Sequence, residues 1–179
     1  MSTLKYAILG VLSRSSMTGY DMAKEFETSL FEFWNAKHSQ IYPELKNLTA
    51  EGLVAYDIEI SGNVLEKKLY SITEKGRQEF RKWELTYHKL QTASRDEFRL
   101  QMYFAYTLSP GERLALMEAR LAEHRQKLEH LKKKETQFSS VPPKQEEELM
   151  DYMVWLGAVI REEGNCSWLE TCIRCCGET

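Results

Sequence analysis

The chain of 179 residues has a mass of 21.0 kDa, room for one domain or two small ones around a buried core. It is 42% hydrophobic and 28% charged, the balance of a globular protein, and its 24 Lys and Arg against 27 Asp and Glu leave a net charge of −3. That charge excludes a protein that coats nucleic acid with a strongly basic tail, so any polyanion must be met by a local basic patch.

Leu4, Ala7, Ile8, Val11 and Leu12 recur at helical spacing before Ser15-Ser16-Met17-Thr18-Gly19 breaks the pattern, which predicts a short first helix and a turn. The longest apolar run, Tyr6 to Leu12, falls far below the roughly 20 residues of a membrane span. A single Lys5 before it and Ser13-Arg14 after it are not the flanks of a secretory leader, so a cytoplasmic protein without a membrane partner is expected. Beyond Tyr20, the apolar Ala23, Phe26 and Leu30 lie three and four apart with Asp21, Lys24 and Glu25 on other faces, a second amphipathic helix. Ser39 is the expected N-cap of a third helix, striped by Ile41, Leu45 and Leu48, with Pro43 in its first turn and Gly52 at its end. Its outward positions carry Gln40, Tyr42, Lys46 and Asn47.

The period then changes. Val54, Tyr56, Ile58 and Ile60 alternate with Ala55, Asp57 and Glu59, which predicts a strand with the first set inward and the second in water. Ser61-Gly62-Asn63 signals a turn, and Leu65 to Ile72 reads as the returning strand, closed by Thr73 as N-cap of the next helix. Three short helices followed by a hairpin are the order of a winged helix-turn-helix, with the third helix for recognition and the hairpin as wing. Protein-docking modules share that order, so a protein-interaction adaptor is the rival reading.

A fourth helix is expected from Glu74 to about Leu90, with Phe80, Trp83, Tyr87 and Leu90 on one face, and a fifth from Arg95 to Leu108 carrying Phe98, Tyr103, Phe104 and Tyr106. The domain boundary is expected near Gln91 to Ser94, giving a DNA-binding domain over 1–92 and a helical dimerisation and effector domain over 93–179. Ser109-Pro110-Gly111-Glu112 spells a capping box. The helix it opens places Leu114, Met117, Leu121, His124, Leu128 and Leu131 at alternating three- and four-residue steps, the seam of a coiled coil that needs a partner. Val141-Pro142-Pro143 breaks it. A last helix from about Lys144 is striped by Leu149, Met153, Leu156 and Ile160, with an interruption at Gly164-Asn165. The fold expected is mainly α with a small β-hairpin: an N-terminal winged helix-turn-helix plus a C-terminal helical dimerisation domain.

No Gly-rich phosphate loop, nucleophile elbow or H-E-x-x-H is present, so neither an enzyme nor a cofactor is expected. His38, His88, His124 and His130 lack metal-ligand spacing, and no metal site is assigned. His124 reads as a hydrogen-bonded packing residue. Cys166, Cys172, Cys175 and Cys176 all fall in the last fourteen residues and are expected as reduced thiols. On a helix Cys172 and Cys176 share a face, which reads first as packing at a chain end and second as a redox or metal sensor.

Phosphates take hydrogen bonds from Lys, Ser, Tyr and helix N-terminal amides, whereas Gln pairs bidentately with adenine. Lys37, His38, Ser39, Gln40, Tyr42 and Lys46 on the third helix, with Lys67 and Lys68 on the wing, form a footprint of that chemistry. Residues 1–80 nevertheless hold nine Lys and Arg against eleven Asp and Glu, a net −2. Glu25, Glu27, Glu32, Asp57 and Glu59 would have to face away from Lys37, Lys46, Lys67 and Lys68.

The runs Leu4-Lys5-Tyr6-Ala7-Ile8-Leu9-Gly10, Thr18-Gly19-Tyr20-Asp21, Phe33-Trp34-Asn35-Ala36-Lys37-His38-Ser39-Gln40-Ile41-Tyr42-Pro43-Glu44-Leu45 and Leu65-Glu66-Lys67-Lys68-Leu69-Tyr70-Ser71-Ile72-Thr73 resemble the PadR family of bacterial transcriptional regulators. The helical half, ending in Ser167-Trp168-Leu169-Glu170, resembles the branch that holds the phenolic-acid-responsive and virulence-activator members. The resemblance implies a homodimer on a palindromic double-stranded operator, with the footprint above as its DNA contacts. It also implies repression of a stress or detoxification gene such as a phenolic acid decarboxylase, relieved by a small aromatic acid. Tyr6, Trp34, Tyr103, Tyr106, Tyr152 and Trp155 offer aromatic walls for such an effector, and Arg99, Arg120 or Arg125 a cation. Leu114, Met117, Leu121, Leu128, Leu131, Leu156 and Ile160 are the expected dimerisation positions.

Overall fold

The structure, a computed structural model, describes residues 3–28, 34, 37–61, 65–89 and 96–177; the side chains of residues 38, 60, 61, 65 and 66 are not described. The expected positions Leu30, Glu32, Gly62, Asn63, Leu90 and Arg95 and the boundary segment 91–94 lie outside the described residues. The chain forms two compact units, Met1–Leu90 and Gln91–Thr179.

In the first unit, α1 (Thr3–Arg14), α2 (Gly19–Thr28) and α3 (His38–Ala50) close on one apolar centre. Ile8, Leu9, Met22, Ala23, Ile41, Leu45 and Leu48 are fully buried there, one stripe from each helix. Burying a Leu or Ile side chain is worth about 1.5–3 kcal/mol, and this stripe pattern is what makes three short helices hold together. α3 ends as the sequence predicts. Gly52 adopts φ 70°, the left-handed conformation open to glycine, and the Leu53 N–H returns to the Leu48 carbonyl at 2.9 Å.

The start of α3 differs from expectation. Its N-cap is Lys37, not Ser39, because the Gln40 carboxamide oxygen reaches back to accept from the Lys37 backbone N–H at 3.2 Å. Pro43 is therefore the sixth residue of the helix rather than part of its first turn, and the exposed Ser39 carbonyl lacks its intrahelical donor.

β2 (Val54–Ser61) and β3 (Leu65–Ile72) form the expected antiparallel hairpin, and β1 (Met17–Thr18) adds a third strand on the far side of β3, in the order β1-β3-β2. The sequence reads β1 as part of a turn, since two residues are too few to show alternation. The expected inward face of β2 holds only at its root: Val54 is buried, but Tyr56 and Ile58 are 38% and 57% exposed. The outer hairpin has left the core and stands as a two-stranded ribbon.

Thr73 caps α4 (Glu74–Glu84) as predicted, accepting from the Gly76 N–H at 3.1 Å and donating to the Gly52 carbonyl at 2.8 Å. A Cβ on Gly76 would stand 2.1 Å from the Leu53 carbonyl oxygen, so only glycine lets α4 seat this closely. Trp83 stacks on Tyr6, ring centroids 4.9 Å apart, and Phe80 packs on the core. The helix stops nearly two turns short of the predicted end near Leu90, and Leu85 and Tyr87 are exposed.

In the second unit α5 (Glu97–Phe104) is capped by Asp96, whose carboxylate accepts from the Arg99 N–H, and runs into a 3-10 turn at Ala105–Thr107 rather than continuing helically to Leu108. α6 (Pro110–Lys133) opens with the predicted capping box: the Ser109 hydroxyl accepts from the Glu112 N–H, and the Glu112 carboxylate accepts from the Ser109 N–H at 2.9 Å. α7 (Glu146–Gly177) returns antiparallel to α6 after the 3-10 turn Lys134–Gln137 and Val141-Pro142-Pro143. The Ser139 N–H and hydroxyl both donate to Glu148 at 2.5 Å, holding the entry into α7.

The coiled-coil seam of α6 finds its partner in the same chain. Met117, Leu121 and Leu131 are buried by α7, so these three expected dimerisation positions are spent within the protomer, and Leu114 and Leu128 pack at the margins of the same clusters. α7 presents Trp155, Ala158, Val159, Cys166 and Leu169 to α6, not the predicted stripe: Met153 and Ile160 are 55% and 59% exposed. The helix also runs unbroken through Gly164-Asn165, where the Asn165 amide donates to Glu162 one turn back at 3.4 Å. A mid-helix glycine costs about 1 kcal/mol, less than the packing of α7 along α6 returns.

Candidate nucleic-acid interface

α3 is one-sided. Ile41, Leu45 and Leu48 are fully buried, while Ser39, Gln40, Tyr42, Lys46 and Asn47 are exposed beside Lys37. The structure thus gathers the expected footprint residues Lys37, Ser39, Gln40, Tyr42 and Lys46 on one solvent face; His38 heads the helix, its side chain outside the described residues. The helix dipole gives that end an affinity for anions, while the Lys37 and Gln40 N–H groups already donate to the Gln40 carboxamide and the Lys37 carbonyl.

Tyr42 is positioned from behind by a glycine. A Cβ on Gly19 would lie 2.7 Å from its Cε1, so the ring rests directly on the first residue of α2. Thr18 caps that helix, accepting from the Asp21 N–H at 3.2 Å, and the next residue, Tyr20, is 69% exposed. Sequence reasoning assigned Tyr20 no role. The Thr18-Gly19-Tyr20-Asp21 run was the available signal: a capped helix start with an aromatic projecting from it.

On the wing, directly opposed residues share a face. Lys68 lies opposite Ile58, next to the Tyr56–Tyr70 pair, and its ammonium sits over the Tyr56 ring at 4.1 Å. Lys67 lies opposite Glu59 and adjacent to the Asp57–Leu69 pair. The expectation that Asp57 and Glu59 face away from both lysines therefore fails for Lys67, whose neighbours are acidic, and holds for Lys68. Strand pleating decides this, and the net count of the region cannot show it. Tyr70 is half-buried against the core.

The effector candidates are scattered and largely committed. Tyr6 is buried, stacked on Trp83, and donates its hydroxyl to Glu79 at 3.2 Å; burial, with the Glu79 charge, pushes its phenol pKa up. Trp34 packs on the first unit's core with a buried indole N–H that meets no acceptor among the described residues. Tyr103 and Tyr106 are exposed. Tyr152 and Trp155 form a three-ring cluster with Phe138, and Trp155 donates to the Leu131 carbonyl at 2.7 Å. The candidate cations are paired as well: Arg99 with Asp96, Arg120 with Glu123 and Arg125 with Glu170.

On α7 the side away from α6 is apolar and exposed at Met150, Met153, Val154 and Ile160. Leu156 is half-buried. Among the described residues no helix is long and apolar enough to cross a membrane.

Residues 8–82 match the model of the transcriptional regulator PadR-like family, and residues 94–175 match that of the virulence activator alpha C-terminal region. The chain is 40% identical over 174 residues, 96% of each chain, to the negative transcriptional regulator PadR of Bacillus subtilis (strain 168). It is similar to the crystal structure of Bacillus subtilis PadR in complex with operator DNA, with TM-score 0.91 and 38% identity over 98% of this chain and 99% of that one. It is also similar to the structure of that protein in complex with p-coumaric acid, with TM-score 0.87 and 35% identity over the same shares.

Proposed function

This chain belongs to the PadR-like family of transcriptional regulators, and from that membership and the geometry above we propose that it is a homodimeric repressor released from its operator by a small aromatic acid. The observation that carries the DNA reading is the polar face of α3, whose Tyr42 rests on Gly19, the neighbour of the exposed Tyr20. Gln40 and Tyr42 read base edges in the major groove; Lys37, His38, Ser39 and Lys46 hold phosphates at the helix start, and Lys68 holds the backbone beside the wing. Lys67, facing Glu59, contributes less.

Two copies pair through the exposed stripe of α7 that contains Met153 and Ile160, with Leu156 at its margin. The symmetry of a two-fold dimer then sets a palindromic operator, its half-sites about 34 Å apart or a multiple of that. The winged unit spans 1–92 and the dimerisation and effector unit 93–179. A regulator of this kind works in the cytoplasm, where bacterial DNA lies.

The effector reading is supported by the relative solved with p-coumaric acid and by the buried indole N–H of Trp34, which meets no acceptor among the described residues. A flat aromatic acid suits an apolar slot with one or two polar anchors, and the regulated gene would be one that removes such acids. The test is an anisotropy titration of the purified protein against its own upstream DNA, at stated salt, with and without p-coumarate. Tight binding released by the acid is the expected result. Tight binding indifferent to it overturns the effector, and no binding at all moves the chain to the adaptor class.

A further inference from the structure

Three thiols crowd the last two turns of α7, and the repressor reading uses none of them. Cys172 and Cys176 are half-buried against the cluster of Phe98, Met117 and Leu169, while Cys175 is exposed. No disulfide joins these cysteines. Among the described residues no group of three or more His, Cys, Asp or Glu is arranged to hold a metal ion, which directs attention to the redox chemistry of the cluster.

Helix geometry orders the available pairs. Residues three and four apart on an α-helix have Cα atoms about 5 and about 6 Å apart, both inside the 4.4–6.8 Å of disulfides, whereas adjacent residues need a strained ring. Exposure decides between the two spacings, since Cys175 is open to solvent and Cys176 is half-buried like Cys172. Of the three thiols, Cys172 and Cys175 are therefore the pair to join. One is sheltered and one open to solvent, the division of labour of a dithiol in which the outer sulfur meets the oxidant and the inner one resolves it. Burial raises the Cys172 thiol pKa, and the Cys175 and Cys176 sulfurs beside it add to the shift, so the inner sulfur is held as a thiol until its neighbour has reacted. Both residues lie in the last two turns of α7, and the backbone adjustment that the bond needs is confined there.

We propose that Cys172 and Cys175 form a hydroperoxide-sensitive dithiol that closes to an intrahelical disulfide. The Cys175 sulfur attacks the peroxide oxygen, the O–O bond breaks, and the chain carries a sulfenic acid while an alcohol, or water from hydrogen peroxide, leaves. The Cys172 sulfur then displaces hydroxide from the sulfenic sulfur, the S–S bond forms, and the Cys172 proton leaves with the hydroxide as water. Two thiols are oxidised by two electrons and one peroxide is reduced. Closure turns the Cys172 side chain out of its contact with the Phe98 and Met117 cluster.

The test uses the full chain, reduced and freed of reductant, treated with hydrogen peroxide from equimolar to modest excess, and read by thiol titration and intact mass. The expected product has lost two thiols and two hydrogen masses per chain, and dithiothreitol restores it. Cys175→Ser, at an exposed position that threatens no packing, abolishes that product; Cys176→Ser leaves it. Retention of all four thiols, an unchanged yield of the product in Cys175→Ser, or a disulfide that links two chains would each overturn the assignment.

Discussion

The ring of Tyr42 lies on the backbone of Gly19: a methyl group added there would stand 2.7 Å from Cε1, closer than real contacts allow. A residue on α3 that faces solvent is thus aimed by the first residue of α2. Gly19→Ala forces the ring aside, and because Tyr42 is 49% exposed the ring can move with little loss of stability. Operator affinity should fall by about 1–2 kcal/mol while the melting temperature changes little. The double variant Gly19→Ala, Tyr42→Ala should bind no worse than Tyr42→Ala alone, because both changes act through one ring. Additive losses would show that Gly19 acts otherwise.

Lys68 and Gln40 should separate affinity from specificity. Lys68→Ala is expected to weaken all DNA sequences alike and to reduce the slope of log K against log salt by about 0.9. Lys67→Ala should do less, because Lys67 is opposed by Glu59. Gln40→Ala should cost about 1–3 kcal/mol on the operator and relax the preference at one base pair. It also removes the acceptor for the Lys37 N–H, so the helix content of the variant is measured alongside.

The two apolar faces of the second unit predict opposite failures. Ile160→Glu, on the exposed side of α7, should leave a folded monomer by light scattering, with reduced operator affinity. Leu131→Glu, fully buried against α7, should unfold the helical pair by placing a charge among Leu128, Trp155, Ala158 and Val159. A dimer that survives Ile160→Glu would move the interface elsewhere.

Glu162 links stability to pH. It is 3% exposed, yet His124 Nδ1 donates to it at 2.5 Å, Lys127 Nζ lies at 3.1 Å and the Asn165 amide at 3.4 Å. Burial alone would raise its pKa; the hydrogen bonds from His124, Lys127 and Asn165 and the Lys127 charge outweigh burial and hold the carboxyl below the usual range. A folded pKa below the unfolded one means the contribution is fully present above about pH 4.5 and is lost as pH falls through the folded value. Wild-type protein should lose melting temperature over that acid range, and Glu162→Gln should show a shallower loss from a lower plateau. At neutral pH the variant should be less stable by about 1–3 kcal/mol in denaturant titrations.

Much of the fold is written in local pattern. The Ile41, Leu45, Leu48 stripe, the Ser109 and Glu112 capping box, the Thr73 cap and the alternation on either side of the wing tip each depend on residues within a turn or two of one another. The polar face of α3 was legible for the same reason: once one stripe is buried, the opposite side is solvent. The start of α3 was not, because Ser39 is a preferred N-cap type and Lys37 is not, and the helix starts after Lys37 with the Gln40 carboxamide taking the Lys37 N–H.

The sequence by itself determined the main helices and the two strands of the hairpin, though not the two-residue β1, and that the third helix carries hydrogen-bonding groups outward. Tertiary structure decided what each apolar face meets. α7 has apolar residues on more than one side, Met153 and Ile160 on one and Val159, Cys166 and Leu169 on another, so periodicity cannot choose between them. The choice falls to α6, which sets His124 and Lys127 opposite Glu162 and thereby admits a carboxylate to the buried face. A charge is tolerated in the interior only where its partners are already placed, and those partners lie more than thirty residues away in the chain.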